Sequence, residues 1–281
     1  MLSLHSNIPI NTLPLFPLLD LRLLEMLREL TPEEWDRPTI AKQWTVKDIA
    51  AHLLDGNLRG LSVSRDGYFG ISSEAIYSYQ ELVGFLNRLN HQWTDAAKRL
   101  SPPLLISLLE LTGKEYHEHL LSLNPFDEAV FGVAWAGQER SENWFHIARE
   151  YTEKFIHQQQ IRDALGKEPL FSEILFRPFI STLLYALPVT YRNTEAPEGT
   201  IIALQIGSAA GEEYRIIRNY NGWSLTEVSE AIATSTIQMN PDTAWKVFSK
   251  GISPEMALEQ VTITGNAALG KITLEMVAVM A

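Results

Sequence analysis

Glu153 and His157 sit four residues apart in the segment TEKFIHQQQIRDALG, Thr152 to Gly166. On a helix that spacing puts both side chains on one face, one turn apart. A carboxylate and an imidazole so placed can grip one ion from successive turns. His146 and Glu150 offer the same spacing on the same face in the reverse order. Opposite them, Trp144, Ala148, Tyr151 and Phe155 make an apolar stripe that marks the core side. Each pair supplies only two ligands, whereas a catalytic zinc site takes three and keeps a position open. A polar face opposite an aromatic stripe is also what a solvated helix presents, so this face alone leaves both readings standing. His52 is the best candidate for a third ligand. It lies at the border of its own helix's apolar stripe, where a partly buried histidine capped by a neighbour would also lie. His5, His91, His117 and His119 fit less well; the last two are two residues apart and face different ways.

The elements carrying these residues follow from periodicity. Thr45 and Asp48 have the spacing of a capping box. After them Val46, Ile49, Ala50, Leu53 and Leu54 recur at helical intervals. Further helices are expected over 15–30, 74–99, 103–120 and 141–165, the last stopped by Gly166. Long helices with short connections give an up-and-down bundle. From Gly166 the segment GKEPLFSEILFRPF reads as a linker or a short connecting helix, and the pattern then changes. TIIALQIGS, the hairpin EYRIIRNYNGWSLTEV with a type I′ turn at Asn221-Gly222, AIATSTIQM and VTITG read as strands. Asn240 caps a helix with Pro241 at its first position, and this helix should stop at Gly251. NAALGKITLEMVAVM reads as a last helix. The expected class is a two-domain α+β chain: a helical bundle over 1–166, then an α+β domain over 178–281.

Composition removes several function classes. The chain has 281 residues, 46% hydrophobic and 20% charged, which suits two folded domains. Its net charge of −11 disfavours nucleic acid and anionic membrane surfaces. No apolar run approaches a membrane span. The N-terminus, without Lys or Arg before Arg22 and with three prolines, is a poor signal peptide, so a cytoplasmic location is expected. There is no cysteine. Disulfides, iron–sulfur clusters, thiolate zinc sites and a cysteine nucleophile are therefore excluded. Any metal must sit on His, Asp or Glu, and any thiol chemistry must use a thiol brought by a cofactor or substrate.

EEWDRPTIAKQWTVKDIAAHLLD resembles the opening signature of the DinB-like four-helix-bundle superfamily, in particular its mycothiol-dependent maleylpyruvate isomerase type. The matching residues are Trp44, Thr45, Val46, Asp48, Ile49, His52 and Leu53. A second family pattern is matched by Glu153, His157, Ile161, Arg162, Ala164, Leu165 and Gly166. The resemblance implies that His52, Glu153 and His157 are ligands of one divalent metal, zinc foremost and nickel as the alternative. It implies a low-molecular-weight thiol as nucleophile, and a thiol transferase or isomerase acting on a small electrophile. The family often carries Asp where this chain has Gln160. VTITGNAALGKITLEMV resembles the end of sterol-carrier-protein-like domains, which follow the bundle in such proteins. Arg215 or Arg218, on opposite faces of one strand and so at most one of them, is a candidate for binding a substrate carboxylate. A metal hydrolase, or a non-catalytic protein carrying an apolar ligand, is the competing expectation.

Overall fold

The computed structural model describes residues 8–70, 76–207, 212–227 and 231–279. The chain divides into two compact units. Among the described residues, one comprises those up to 133 together with 139–179, and the other comprises 134–138 and those from 180 to 279.

The first unit is helical. It contains α1 (Phe16–Arg28), the short α2 (Pro32–Trp35), α3 (Val46–Gly60), α4 (Tyr79–Ala97), α5 (Pro102–Ser122) and α6 (Asn143–Leu165). The expected helices are present with shifted ends; residues 74 and 75 lie outside the described residues. The capping box starts α3, with Asp48 N–H donating to Thr45 Oγ1 at 3.3 Å and Thr45 N–H to Asp48 Oδ2 at 3.0 Å. A second box, Thr31 with Glu34, starts α2. A five-residue π-helical stretch, Leu61–Arg65, prolongs α3. Gly166 ends α6 in the left-handed region at φ 61°, which a residue without Cβ adopts freely. One apolar core joins Leu23 and Leu27 of α1, Ile49, Leu53 and Leu54 of α3, Leu105 and Leu109 of α5, and Ile161 of α6.

The segment expected as a linker or connecting helix is largely helical: α7 spans Glu173–Leu183, and the division between the units falls inside it. The second unit holds α8 (Leu187–Thr190), β1 (Ile201–Ile206), β2 (Glu212–Asn219), β3 (Gly222–Thr226), β4 (Ser235–Met239), α9 (Pro241–Phe248), α10 (Pro254–Leu258), β5 (Thr262–Gly265) and α11 (Ala267–Ile272). The sheet order is β3-β2-β1-β4-β5. β1 and β4 run parallel and the other neighbours antiparallel. Ile202, Leu204, Ile216 and Ile237 are fully buried with Trp245 and Phe248 of α9. The first unit's helices and this mixed sheet make the chain α+β.

Three local expectations need correction. Asn219 pairs with Gly222, so the hairpin's loop residues are Tyr220 and Asn221. Asn221 is not at positive φ, and Gly222 at 130° takes the unusual backbone one place later, so the turn is not type I′. α9 ends at Phe248 rather than running to Gly251, because Lys250 takes the left-handed conformation and Gly251 N–H closes on Lys246 O at 2.7 Å. The last helix ends at Ile272 and continues only as a 3-10 turn, Thr273–Glu275.

Candidate metal centre

α3 and α6 pack against each other. His52 lies two turns into α3, and the box at Thr45 fixes where that helix begins. Glu153 and His157 follow each other by one turn on α6. One donor atom from each of His52, Glu153 and His157 lies within 4.8 Å of the other two, and all three residues are partly buried. His157 Nε2 is 3.4 Å from Glu153 Oε2. The rings of His52 and His157 meet edge to face, with centroids 4.6 Å apart. Tetrahedral zinc, with bonds of about 2.0–2.2 Å, holds its donors roughly 3.4 Å apart. One pair is already at that spacing and the others are within side-chain adjustment of it.

The donor chemistry also fits a cation. His52 Nδ1 is buried without a hydrogen-bond partner, a costly state for a polar atom unless something else binds it. Burial, then His157, then Arg59, hold the His52 imidazole well below its usual pKa, so it is neutral and keeps a lone pair. His157 Nδ1 lies 2.9 Å from Gln160 Oε1, a carbonyl oxygen that can only accept. Nδ1 must then carry the proton, and Nε2 turns its lone pair toward the Glu153 carboxylate. Two lone pairs facing each other at 3.4 Å call for a cation between them, a metal ion or a proton.

The indole of Trp44 roofs the pair, 4.7 Å from the His52 ring and 5.8 Å from the His157 ring. Trp44 is anchored through its carbonyl, which accepts from Thr39 Oγ1 at 2.9 Å and Thr39 N–H at 3.1 Å.

The alternative pair is engaged elsewhere. Glu150 pairs with Arg149 and takes the hydroxyl of buried Tyr116. His146 Nδ1 is 3.2 Å from Arg149 Nη2. On α3, Asp55 pairs with Arg59 at 2.8 Å, and burial raises the Asp55 pKa against the pull of Arg59. The idea that this side of α6 is merely solvated is corrected: His146 and Gln160 on it are buried, and the side chains of Glu150, Glu153 and His157 are only 16%, 29% and 12% exposed. Nearer the aromatic stripe, Gln158 and Gln159 are buried as well and are satisfied by distant backbone: Gln158 Nε2 donates to Leu19 O and Leu170 N–H donates to Gln159 Oε1. Periodicity could not disclose this, because the partners are far away in sequence. It also missed Trp44 as a roof and Arg149 as the partner of Glu150.

Among the other histidines, His5 lies outside the described residues. His91 is exposed, His117 meets Leu13 O at 3.2 Å and His119 meets Ser64 Oγ at 2.7 Å. Arg215 and Arg218 belong to the second unit. Arg215 donates to Glu213 at 2.5 Å and to Ala231 O at 2.6 Å, while Arg218 donates to Asn219 O. Three residues apart on β2, they point to opposite faces of the sheet. No helix among the described residues is long and apolar enough to cross a membrane.

No curated protein matches the sequence. Two crystal structures, of the mycothiol-dependent maleylpyruvate isomerase and of a histidine-to-alanine mutant of it, share the fold at a TM-score of 0.55 each. They are 13% and 12% identical in sequence, and each match covers 90% of this chain and 91% of the other. The family described as "Mycothiol maleylpyruvate isomerase N-terminal domain" matches residues 17–162, more than half of the chain and the whole stretch that carries His52, Glu153 and His157. The chain belongs to that family.

Proposed function

We propose that this protein is a metal-dependent enzyme that uses a low-molecular-weight thiol against a small electrophile, as an isomerase or transferase of the maleylpyruvate isomerase kind. The observation that carries the reading is the convergence of His52, Glu153 and His157 inside the matched family region. Two nitrogen donors and one oxygen donor suit zinc best among the common divalent ions. Bound there, with two neutral imidazoles and one carboxylate, the ion would keep net positive charge and an open position for lowering a thiol's pKa or polarising a carbonyl. The chain's own groups set up that chemistry. His52 stays neutral and offers a lone pair, Glu153 supplies the single negative charge, and Trp44 keeps water from one side of both rings. With no cysteine in the chain, the sulfur nucleophile comes from the thiol cofactor.

We further propose Arg215 rather than Arg218 as the ligand for a substrate carboxylate. Its guanidinium is oriented by Glu213 on the sheet face that also carries Gln205, Thr236 and Gln238, and a planar guanidinium binds carboxylate through two parallel bonds. The strand-then-helix order of β5 and α11 supports reading the second unit as sterol-carrier-like.

The test is metal analysis of the purified protein, followed by maleylpyruvate turnover with and without mycothiol. Glu153→Gln keeps the shape and removes the charge, so it should lose most of the metal and the turnover together. Arg215→Ala should raise KM and leave the metal content unchanged. Turnover that needs no thiol, or that survives in metal-free Glu153→Gln, would overturn the reading.

A further inference from the structure

His157 has two ring nitrogens, and only one can serve the ion. We propose that Gln160 makes the choice: it is a positioning residue that holds His157 as the Nδ1–H tautomer and so turns the Nε2 lone pair toward Glu153 and His52. The inference rests on the metal reading above and concerns a residue outside the three ligands.

Gln160 follows His157 by three residues, so the two side chains share a face of α6. The amide oxygen is 2.9 Å from Nδ1, and Gln160 is 7% exposed, so little water competes for that bond. Nε2, 3.4 Å from Glu153 Oε2, is then the only nitrogen of the ring left to bind. A partner on the far nitrogen of a metal-bound histidine fixes both its tautomer and its ring orientation, and losing one costs about 10–100-fold in metal affinity. Here the partner is a neutral amide. A carboxylate would accept more strongly, through a charge-assisted bond, and would push more negative charge onto the ring. An amide orients the ring and would leave more positive charge on a bound ion than a carboxylate would.

The opposite arrangement is also chemically complete. If the amide were turned, its NH2 would donate to Nδ1 and the ring would donate from Nε2 to Glu153, closing the site to metal. Long-range 15N–1H NMR of His157 in metal-free protein above pH 7.5 separates the two, with the signal assigned by its loss in His157→Gln. The expected result is Nδ1–H in the wild type and a shift toward Nε2–H in Gln160→Leu. Zinc titration should give a Kd about 10–100-fold weaker in Gln160→Leu with an unchanged helical CD spectrum. Gln160→Glu, which restores an acceptor, should bind zinc at least as tightly as wild type. Wild-type His157 found as Nε2–H, or Gln160→Leu binding zinc like wild type, would overturn the proposal. The wild-type tautomer and Gln160→Glu decide the matter even if Gln160→Leu does not fold. A wild type that takes up no zinc would sink the metal reading itself, and the tautomer measurement would still judge Gln160 separately.

Discussion

Two glycines on α3 should respond to alanine with opposite signs. Replacing glycine by alanine inside a helix ordinarily stabilises by about 0.8–1.0 kcal/mol, through backbone entropy. At Gly56 a Cβ would meet nothing within 4 Å, so Gly56→Ala should realise most of that gain. At Gly60 the same Cβ would lie 2.5 Å from Tyr116 Cε2 and 2.7 Å from Cζ. Carbon atoms rest about 3.5–4.0 Å apart, so the overlap is roughly 1 Å. Whether this matters depends on whether Tyr116 can retreat. It is 2% exposed, and its hydroxyl is bonded to Glu150, itself paired with Arg149. The ring is held at both ends, and overpacking a held group costs about 1–3 kcal/mol. After the propensity gain, Gly60→Ala should stabilise not at all and should destabilise by up to about 2 kcal/mol. Urea denaturation of the two variants beside wild type, followed by far-UV CD, reads the difference in midpoint. If Gly60→Ala stabilises as much as Gly56→Ala does, Tyr116 is not fixed and the argument for a rigid Tyr116–Glu150–Arg149 network fails.

Arg149→Leu strips Glu150 of its ion-pair partner where the two side chains are only 18% and 16% exposed. It should destabilise by about 3–5 kcal/mol, and Arg149→Leu with Glu150→Leu should be less damaging than the single change, as urea midpoints would show. Burial, then the Arg149 charge, lower the His146 pKa from 6.5 to about 4. The unfolded chain therefore binds that proton more readily between those values, so this contribution is complete above pH 6.5 and is lost as pH falls toward 4, on the order of 3 kcal/mol in all. Stability compared at pH 7 and pH 4.5 should fall less in His146→Gln than in wild type; equal falls would mean that His146 is not the titrating group. Phe155 is fully buried on the far side of α6 from Glu153 and stacks on Phe179 at 4.0 Å between centroids. Phe155→Ala should cost about 3–5 kcal/mol, while the folded fraction still binds zinc with wild-type stoichiometry.

What could be read from the sequence was what depends on near neighbours. The box at Thr45 and Asp48, the stop at Gly166 and the cap at Asn240, whose side chain accepts from Thr243 N–H at 2.8 Å, each need only residues within one turn. The hairpin at Asn219–Gly222 marks the limit of such rules. Glycine beside asparagine does signal a turn, but the glycine alone can supply the positive φ, and the register then moves by one residue. α6 defeats periodicity for a different reason. Its apolar stripe is real, yet Gln158 and Gln159 are buried because backbone groups at Leu19 and Leu170 await them, and no pattern within the helix announces a distant carbonyl or amide.

The candidate site divides along the same line. Spacing on α6 yields two rival pairs with equal geometry and does not reach across about 100 residues to His52; the border of its own helix's stripe offers His52 as a candidate, and the family resemblance joins it to Glu153 and His157. The structure distinguishes the pairs by what surrounds them. Glu150 and His146 lie against Arg149, whose positive charge repels a cation. Glu153 and His157 face a neutral histidine with an unsatisfied nitrogen. In the sequence Gln160 is one amide in a run of three glutamines, with nothing local to single it out. Placed 2.9 Å from His157 Nδ1, the amide keeps the carboxylate's power to accept a proton bond and drops its charge. On the proposed reading, an amide there would bear less on whether an ion can be held than on how much positive charge a bound ion would retain.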